Sequence, residues 1–409
     1  MRGRGRAADP PRLHPQQEGG GCHKKGLPVK HRIERPLAIA MWDFSWLERR
    51  WPGAGYEDWD QALDELAARG YDAVRIDAYP HLLSASAEKV WELLPVWNQS
   101  AWGAQSKVRV RVGPELRQFI GKCRDRRILV GLSTWNRLEA SGLRNQIRTP
   151  GDHARIWKDT LRYLDQAGLL DALLYVDFSN EFPAPFWTPY LYGGNENAPA
   201  SVEKSRASPE ISSWMRESVG EVARFYPNLD YTYSFCTQYR DWKKQDVSML
   251  DFLEPHVWMS HPETSDWNAR VGYDFEKFDP AGFAHVVENG YRVYQDSKSR
   301  YDDALRGEID NVAAWSRASG KPLITTECWS VVDYKDWPGL DWGWVKDLTA
   351  MGAAHAAAQG RWVAMATSNF CGPQFVGMWR DIAWHRRLTD LIRSSPIDAD
   401  LNGSISFRS

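Results

Sequence analysis

Two glutamates stand out among the polar residues of this 409-residue sequence because each follows a short apolar run. Glu181 comes soon after the run LLYV at 173–176, and Glu327 follows the leucine and isoleucine at 323–324. At such positions burial and neighbouring charges change the pKa of a carboxyl group. Two facing carboxyl groups can protonate a leaving oxygen and attack or stabilise an anomeric carbon, which is the chemistry that splits a glycosidic bond. For one glutamate alone, a salt bridge or a helix N-cap is the alternative.

Other apolar runs of the chain also end in polar or aromatic side chains. In order, these residues are Asp43, Arg75 with Asp77, Trp135 with Asn136, Asn180 with Glu181, Gln238 with Tyr239, His256 with Trp258, Glu327 with Trp329, and Asn369. The predicted catalytic residues are Glu181 and Glu327, and the predicted substrate-binding residues are Asp43, Arg75, Trp135, Asn136, Asn180, Gln238, His256, Trp258, Trp329 and Asn369. Arg75 has a structural alternative, an ion pair with Asp77 or Asp43. His256 has one as well, since a single histidine is often a satisfied hydrogen-bonding residue.

From Pro36 onward, short apolar runs alternate with amphipathic stretches, a pattern typical of repeated βα units and a parallel sheet. The predicted strands are 37–42, 72–77, 128–133, 172–178, 229–235, 252–259, 322–327 and 362–367. Eight βα units in one segment favour a closed (β/α)8 TIM barrel, in which the active residues lie at the carboxyl ends of the strands. Two long connections, 182–209 after the fourth strand and 260–310 after the sixth, are predicted to be loops that close over the site.

The chain divides into three parts by composition. Residues 1–35 are rich in Gly, Pro, Arg, Lys and Gln without apolar periodicity, and we predict a disordered extension there. The barrel is predicted to occupy residues 36–395, with a C-terminal tail at 396–409.

Charge, hydropathy and cysteine content exclude several classes of protein. The formal net charge of -2 gives no overall field to attract nucleic acid or an anionic membrane. No run approaches the roughly 20 apolar residues of a membrane span. No apolar segment follows the basic residues near the N-terminus, so a cytoplasmic protein without a secretory signal is expected. The five cysteines, without a CxxC, are expected to be reduced thiols.

Motifs for nucleotides and metals are absent from the sequence. It contains no GxxxxGK[ST] phosphate loop, no GxGxxG after a strand and no HExxH. The ten histidines are dispersed along the chain. We therefore expect neither a cofactor nor a metal site.

Tryptophan is unusually abundant, with 22 residues in the chain. Large amphipathic rings suit surfaces and clefts as well as cores, and the flat C–H faces of sugars stack on them. The tryptophans near predicted strand ends are Trp42, Trp46, Trp135, Trp187, Trp258 and Trp329. As a group they favour a carbohydrate ligand, although burial under a loop is the alternative for each one.

Four segments carry a more specific resemblance. They are GYDAVRI at 70–76, YVDFSNEFP at 175–183, PHVW at 255–258 and PLITTE at 322–327. In this order they resemble the strand-two arginine, the strand-four Asn-Glu, the strand-six His-x-aromatic and the strand-seven nucleophile motifs of the retaining glycoside hydrolases of clan A. The resemblance is greatest to the cellulase-like family 5, and it spans residues 70–327.

The resemblance implies a role for each matching residue. Glu181 would be the general acid/base and Glu327 the nucleophile. Asn180 would bind the sugar 2-hydroxyl, Arg75 would keep Glu327 ionised, and His256 would orient the acid/base or a sugar hydroxyl. These roles imply a retaining β-glycosidase that forms a covalent intermediate. The long connections favour a pocket and exo action on oligosaccharides or short glycosides.

The sequence departs from the family at two positions. Trp258 replaces the usual tyrosine, and Asn369 with Phe370 stands where the family has a strand-eight tryptophan. The alternative function is a sugar-binding protein that keeps the barrel without catalysis, since a fold does not guarantee an activity. An aldolase or isomerase would need a Schiff-base lysine or a metal cluster at the strand ends, and the sequence shows neither.

Overall fold

The computed structural model describes residues 33–96, 103–195, 198–259, 266–274, 280–332, 334 and 337–403. Residues 1–32 of the predicted N-terminal extension and residues 404–409 of the predicted tail lie outside the described residues. The described start of the tail contains a 3-10 helix, Ala399–Gly403, whose Asp400 pairs with the buried Arg361 at 2.7 Å.

Seven of the described strands form one parallel sheet. The strands are β1 (Leu37–Ala40), β2 (Ala73–Asp77), β3 (Val90–Leu93), β4 (Val108–Arg111), β5 (Leu129–Ser133), β6 (Leu173–Asp177), β7 (Tyr231–Thr232), β8 (Leu323–Thr325) and β9 (Trp362–Met365). Their order in the sheet is β7-β6-β5-β2-β1-β9-β8, and β3 pairs with β4 in a separate antiparallel hairpin that the sequence analysis did not predict. β1 pairs with both β2 and β9, so the first and last strands of the chain are neighbours in the sheet, as they are in a barrel.

The segment predicted as the sixth strand, 252–259, fills the gap between β7 and β8. Isolated bridges join Phe235 to Pro255 on one side, and Leu253 to Leu323 and Val257 to Cys328 on the other. Pro255 lacks the N–H that would continue the ladder to β8 between Leu253 and Val257, so the segment forms bridges rather than a regular strand. The eight barrel positions predicted from the sequence are therefore all present.

Helices surround the barrel. They are α1 (Ser45–Glu48), α2 (Trp59–Ala68), α3 (Pro80–Ser86), α4 (Val112–Asp125), α5 (Pro150–Gln166), α6 (Pro209–Ala223), α7 (Asp266–Val271), α8 (Pro280–Asp296), α9 (Lys298–Ser319), α10 (Gly343–Ala358), α11 (Val376–Trp379) and α12 (Ile382–Arg393). Helix α5 shows why such a segment becomes helical. Thr149 and Asp152 form a capping box at its N-terminus, and Trp157 lies on the apolar stripe that the helix buries. None of the described helices has the length and apolar character needed to cross a membrane.

The two long connections differ in structure. Before α6 begins at Pro209, the described part of 182–209 contains only two short 3-10 helices, Pro189–Tyr192 and Ala200–Val202, and is otherwise irregular. The second connection, 260–310, is mostly helical rather than a loop, since it contains α7, α8 and the first half of α9.

The barrel interior has an apolar floor and a polar upper layer. Alternate strand residues face the same side of a sheet, so Ala73 and Arg75 both point inward from β2, as do Tyr175 and Asp177 from β6. The lower members of these pairs belong to an apolar cluster that also includes Ile39. The upper members are polar and fully buried, and they lie at the carboxyl ends of the strands.

Candidate active site

The Arg75 guanidinium occupies the centre of the polar layer and is completely buried. Its Nη2 donates to Ser133 Oγ at 2.9 Å, to Asp177 Oδ2 at 3.1 Å and to Asn180 Oδ1 at 2.6 Å. The planar fork of arginine suits such a site because its donors reach several acceptors at once. Arg75 therefore links β2, β5 and the residues that follow β6.

The opposite edge of the guanidinium faces the residues that follow β8 and the sixth barrel segment. Nη1 donates to Thr326 Oγ1 at 2.8 Å and to Glu327 Oε1 at 3.4 Å, and it lies 3.8 Å from Glu254 Oε1. Nε lies 3.3 Å from Asp43 Oδ2. Together with Asp177, four carboxyl groups thus share one cation.

The two predicted catalytic glutamates face each other across His256. The Nδ1 atom of His256 lies 2.9 Å from Glu181 Oε1 and 3.6 Å from Glu327 Oε1. One donor atom from each of the three residues lies within 4.8 Å of the other two. The side chain of Glu181 is 19% exposed and that of Glu327 is 6% exposed, so both carboxyl groups border the same largely buried space.

The contacts of His256 decide its tautomer. Its Nε2 lies 3.4 Å from Arg75 Nη1, which can only donate, so Nε2 accepts and Nδ1 carries the proton. Burial lowers the pKa of His256, which keeps the ring neutral. The Nδ1–H therefore donates to Glu181.

The same trio has the donor types and spacing of a metal site, which the sequence analysis did not expect. A histidine nitrogen must give up its proton before it can bind a metal ion. In this structure the Nδ1 proton of His256 is engaged in the hydrogen bond to Glu181. We therefore interpret Glu181 and Glu327 as a pair of acids that His256 holds by a hydrogen bond, and not as metal ligands.

The backbone at the strand ends is unusual. Trp42, Tyr79, Asn136 and Glu181 have φ values of 95°, 47°, 45° and 45°, in the left-handed region that non-glycine residues rarely adopt. Each of them follows a barrel strand on the face that carries Arg75. Such conformations cluster at functional sites, where the surrounding contacts hold them in place.

Burial and hydrogen bonds shift the two glutamates in opposite directions. Burial and the facing charge of Glu181 raise the pKa of Glu327 well above its ordinary value. Burial also favours the neutral form of Glu181, but hydrogen bonds from His256 and from Trp187 Nε1 outweigh it, and the pKa of Glu181 is lowered. Arg75 was expected to hold Glu327 ionised, and its charge does favour the ionised form, but burial and the charge of Glu181 outweigh it in the ligand-free site, where Arg75 is shared among four carboxyl groups.

Among the predicted substrate-binding residues, Asp43, Asn180 and Asn369 keep buried polar atoms without a hydrogen-bond partner among the described residues. These atoms are Asp43 Oδ1, Asn180 Nδ2, and both side-chain polar atoms of Asn369. Buried polar atoms are normally paired. All three residues lie beside the catalytic pair: Asp43 and Asn180 contact Arg75, and the N–H of Asn369 donates to the Cys328 carbonyl.

Two other predicted residues are committed to the protein itself. Gln238 donates to the Lys204 carbonyl at 2.9 Å and accepts from the Arg206 N–H at 2.6 Å, so it anchors the connection after β6. The amide nitrogen of Asn136 donates to the Trp187 carbonyl at 3.1 Å. We expected both to bind sugar, but these contacts hold the surrounding loops; only Asn136 Oδ1, which is buried without a partner among the described residues, remains for that role.

The predicted tryptophans divide between the site and the core. Trp258 is two residues after His256 and shares its inward face, and it is 1% exposed. Trp135 donates to Asp43 and packs edge-to-face on Trp187 with ring centroids 4.6 Å apart. Trp329 points away from the site: its Nε1 donates to the Ala366 carbonyl at 3.1 Å, and its ring packs behind the sheet.

The tight packing of Trp329 explains why it cannot stack on a sugar. A Cβ added at Gly352 of α10 would lie 2.6 Å from the Trp329 Cβ, so the residue is pressed between the sheet and that helix. Its predicted substrate contact is therefore wrong.

Sequence reasoning missed three buried members of the polar layer, Asp177, Glu254 and Thr326. It named Asp77 as a possible partner of Arg75, but Asp77 instead accepts from the backbone N–H groups of Trp135 and Tyr79. A signal for Glu254 was present. It lies two residues before His256, and residues two apart on a strand share a face.

A family model described as sugar-binding cellulase-like matches residues 39–393. The chain belongs to the Cellulase-like family. A crystal structure from Parabacteroides distasonis ATCC 8503, whose description proposes a glycoside hydrolase, is 45% identical and has a TM-score of 0.86; the match covers 91% of this chain and 99% of that chain. The fold is therefore that of a cellulase-like glycoside hydrolase.

Two further solved structures are more distant. The β-glycosidase BGL167 is 13% identical with a TM-score of 0.48, over 89% of this chain and 98% of that chain. The endo-β-1,4-mannanase from Thermotoga petrophila is 10% identical with a TM-score of 0.48, over 90% of this chain and 78% of that chain. None of the curated proteins of known function is detectably similar to the chain.

Proposed function

We propose that the protein is a retaining β-glycosidase that uses Glu181 as general acid/base and Glu327 as nucleophile. The observation that supports this is the spacing of the two carboxyl groups, which bring donor atoms within 4.8 Å of each other. Retaining enzymes place their carboxyl groups about 5–5.5 Å apart, whereas inverting enzymes need about 6.5–9.5 Å to admit a water between them. The separation favours direct attack by one carboxylate.

In the first step, a Glu327 oxygen bonds to the anomeric carbon while the bond to the leaving oxygen breaks and Glu181 gives that oxygen its proton. In the second step, Glu181 removes a proton from water, and the hydroxide displaces Glu327 to release the sugar. Positive charge develops at the anomeric carbon in both transition states. This charge favours ionised Glu327, so with substrate bound the proton of the pair resides on Glu181.

The unpartnered polar atoms supply sugar contacts in this proposal. Asn180 Nδ2 donates to the 2-hydroxyl, and Asp43 Oδ1 with the Asn369 amide binds other hydroxyls. The irregular connection 182–209 reaches over the site, because its Trp187 donates to Glu181 Oε2 at 3.2 Å. Because this connection closes one side of the site, it supports exo action on oligosaccharides or short glycosides.

The second candidate function is sugar binding without turnover, which the description of the family model favours. The presence of a complete, facing acid pair argues against it. A panel of aryl β-glycosides separates the two functions. Measurable sugar binding without release of any aryl group would support the second function.

The roles of the two glutamates are tested with leaving groups of different acidity. Glu327→Gln should abolish turnover of every substrate, because no nucleophile remains. Glu181→Ala should retain turnover of dinitrophenyl glycosides, whose leaving group needs little protonation, and lose it on alkyl glycosides. Glu92→Gln, at an exposed glutamate of β3, is the control and should match the wild type. Equal loss in both variants on dinitrophenyl glycosides would contradict the assignment.

A further inference from the structure

Glu254 is a completely buried glutamate beneath the catalytic pair. It shares the inward face of its segment with His256. Its Oε1 accepts a hydrogen bond from Thr326 Oγ1 at 2.6 Å, and Thr326 is the residue directly before Glu327. Glu254 therefore lies one side chain away from the backbone of the proposed nucleophile.

Glu254 and Glu327 also depend on the same nitrogen of Arg75. Nη1 lies 3.8 Å from Glu254 Oε1 and 3.4 Å from Glu327 Oε1. The same nitrogen donates to the Thr326 hydroxyl at 2.8 Å, and that hydroxyl gives its own proton to Glu254. A change of charge on Glu254 consequently alters both the electrostatic support and the position of Glu327.

Four buried carboxyl groups around one guanidinium cannot all be ionised without a large uncompensated charge. Their hydrogen bonds differ in number. Asp177 accepts from Ser133 Oγ and from both the N–H and the Oγ of Ser234, in addition to Arg75. Glu254 has one donor at Oε1, and its Oε2 is buried without a partner among the described residues. Glu254 thus has much less hydrogen-bond support for a negative charge than Asp177 has.

Burial and the neighbouring carboxyl groups also favour the protonated form of Glu254. Burial raises the pKa of Glu254 to about 8; Asp177 and Asp43 contribute in the same sense, while Arg75 and Thr326 oppose them. The phenol of Tyr175 on β6 also faces this group. It is neutral, because burial raises its pKa well above the ordinary value.

We propose that Glu254 is a positioning residue that holds a buried proton and thereby leaves the charge of Arg75 available to Glu327. This inference rests on the proposed function of Glu327 as nucleophile. When Glu254 loses its proton at alkaline pH, its charge competes for Arg75 Nη1. The remaining proton of the catalytic pair is then held on Glu327, which is the wrong carboxyl group for attack.

The proton on Glu254 is tested without any substrate, so the result does not depend on the proposed activity. Infrared spectra of the wild type are recorded as the pH rises from about 6 to about 10, across the expected ionisation. The wild type should lose a protonated-carboxyl C=O band near pH 8, and Glu254→Gln should lack that component. Persistence of the component in Glu254→Gln, or its absence from the wild type, would overturn the proposal.

The kinetic consequence is measured on the same variant. Glutamine resembles a neutral glutamic acid in size and shape, so Glu254→Gln should keep kcat within about tenfold of the wild type near neutral pH. The alkaline limb of the pH profile of kcat should move to higher pH in this variant, and KM should stay unchanged. Loss of more than about 100-fold at neutral pH in a folded variant, or an unshifted limb, would contradict the proposal.

Glu48→Gln provides the matched control. Glu48 is equally buried but pairs with both Nε and Nη2 of Arg137 at 2.8 Å, away from the catalytic pair. This substitution should leave the infrared component and the alkaline limb of the pH profile as they are in the wild type. A shift of the limb in Glu48→Gln would show that any buried glutamate produces the effect, and the proposal for Glu254 would fall.

Discussion

Substituting methionine for Arg75 would remove the cation that four buried carboxyl groups share. Breaking one buried ion pair by removing a partner costs about 3–5 kcal/mol. Arg75 lies within 4.0 Å of Asp43, Asp177, Glu254 and Glu327, and it also donates to Ser133, Thr326 and Asn180. We therefore expect Arg75→Met to lower the free energy of unfolding by at least about 5 kcal/mol near pH 8.

The sign of the pH dependence follows from the charges. Carboxyl groups that lose their cation have a raised pKa in the folded variant, so the folded state binds more protons than the unfolded state. Stability then falls as the pH rises, by about 1.4 kcal/mol per pH unit for each proton concerned. Arg75→Met should accordingly recover several kilocalories per mole between about pH 8 and about pH 5.

Denaturant unfolding at several pH values measures this effect. Arg137→Met is the matched control, since Arg137 is also buried but pairs with a single carboxyl group, that of Glu48. Arg137→Met should lower the free energy of unfolding by less than Arg75→Met does, and that free energy should change less steeply with pH. The shared-cation account of the polar layer would be refuted if Arg75→Met lowered the free energy of unfolding by less than about 1 kcal/mol, or by as much at pH 5 as at pH 8.

Other variants separate site residues from scaffold residues. Asn369→Ala should lower kcat/KM by about tenfold to 100-fold without changing Tm, because it removes about 1–3 kcal/mol of hydrogen bonding to substrate and none to protein; a large fall in Tm would count against this role. Asn136→Ala should lower Tm, because it removes the hydrogen bond from the amide nitrogen to the Trp187 carbonyl. Trp329→Phe should alter KM by less than about twofold, since the ring lies behind the sheet. Gly131→Ala should destabilise the protein by about 1–3 kcal/mol in thermal unfolding, because its Cβ would lie 2.4 Å from Tyr175 Cζ; an unchanged Tm would contradict that packing. Dialysis against a chelator should leave kcat unchanged.

The sequence was most informative about residues at the carboxyl ends of the strands. Arg75, Asn180, Glu181, His256 and Glu327 were all predicted to meet, and they do, because parallel strands bring their carboxyl ends to one face whatever the loops between them. The order of apolar runs was enough to predict the barrel.

Side-chain direction in the loops was harder to predict. Asn136 has a left-handed backbone that turns its amide toward the Trp187 carbonyl, and Gln238 turns toward Lys204 and Arg206. These directions come from contacts between loops that are distant in sequence. Trp329 differs because it lies two residues after Glu327 and beyond the end of β8 at Thr325, where the two-residue alternation of a strand no longer predicts the direction of a side chain.

The number of carboxyl groups around Arg75 was the second feature that sequence reasoning did not predict. One arginine near one glutamate suggested an ionised nucleophile, but Asp177 and Glu254 lie inside apolar runs and were read as strand residues. A count of inward-facing carboxyl groups by two-residue periodicity would have revealed them. The share of the Arg75 charge that reaches Glu327 depends on how many carboxyl groups surround Arg75.

A 2-deoxy-2-fluoro glycoside with a good leaving group tests the central claim most directly, because it slows release of the covalent intermediate. Peptide mass spectrometry of the trapped protein should find one fluorosugar attached to Glu327, and the anomeric configuration of the product from an ordinary substrate should be retained. Attachment to Glu181, or an inverted product without any trapped species, would contradict the account.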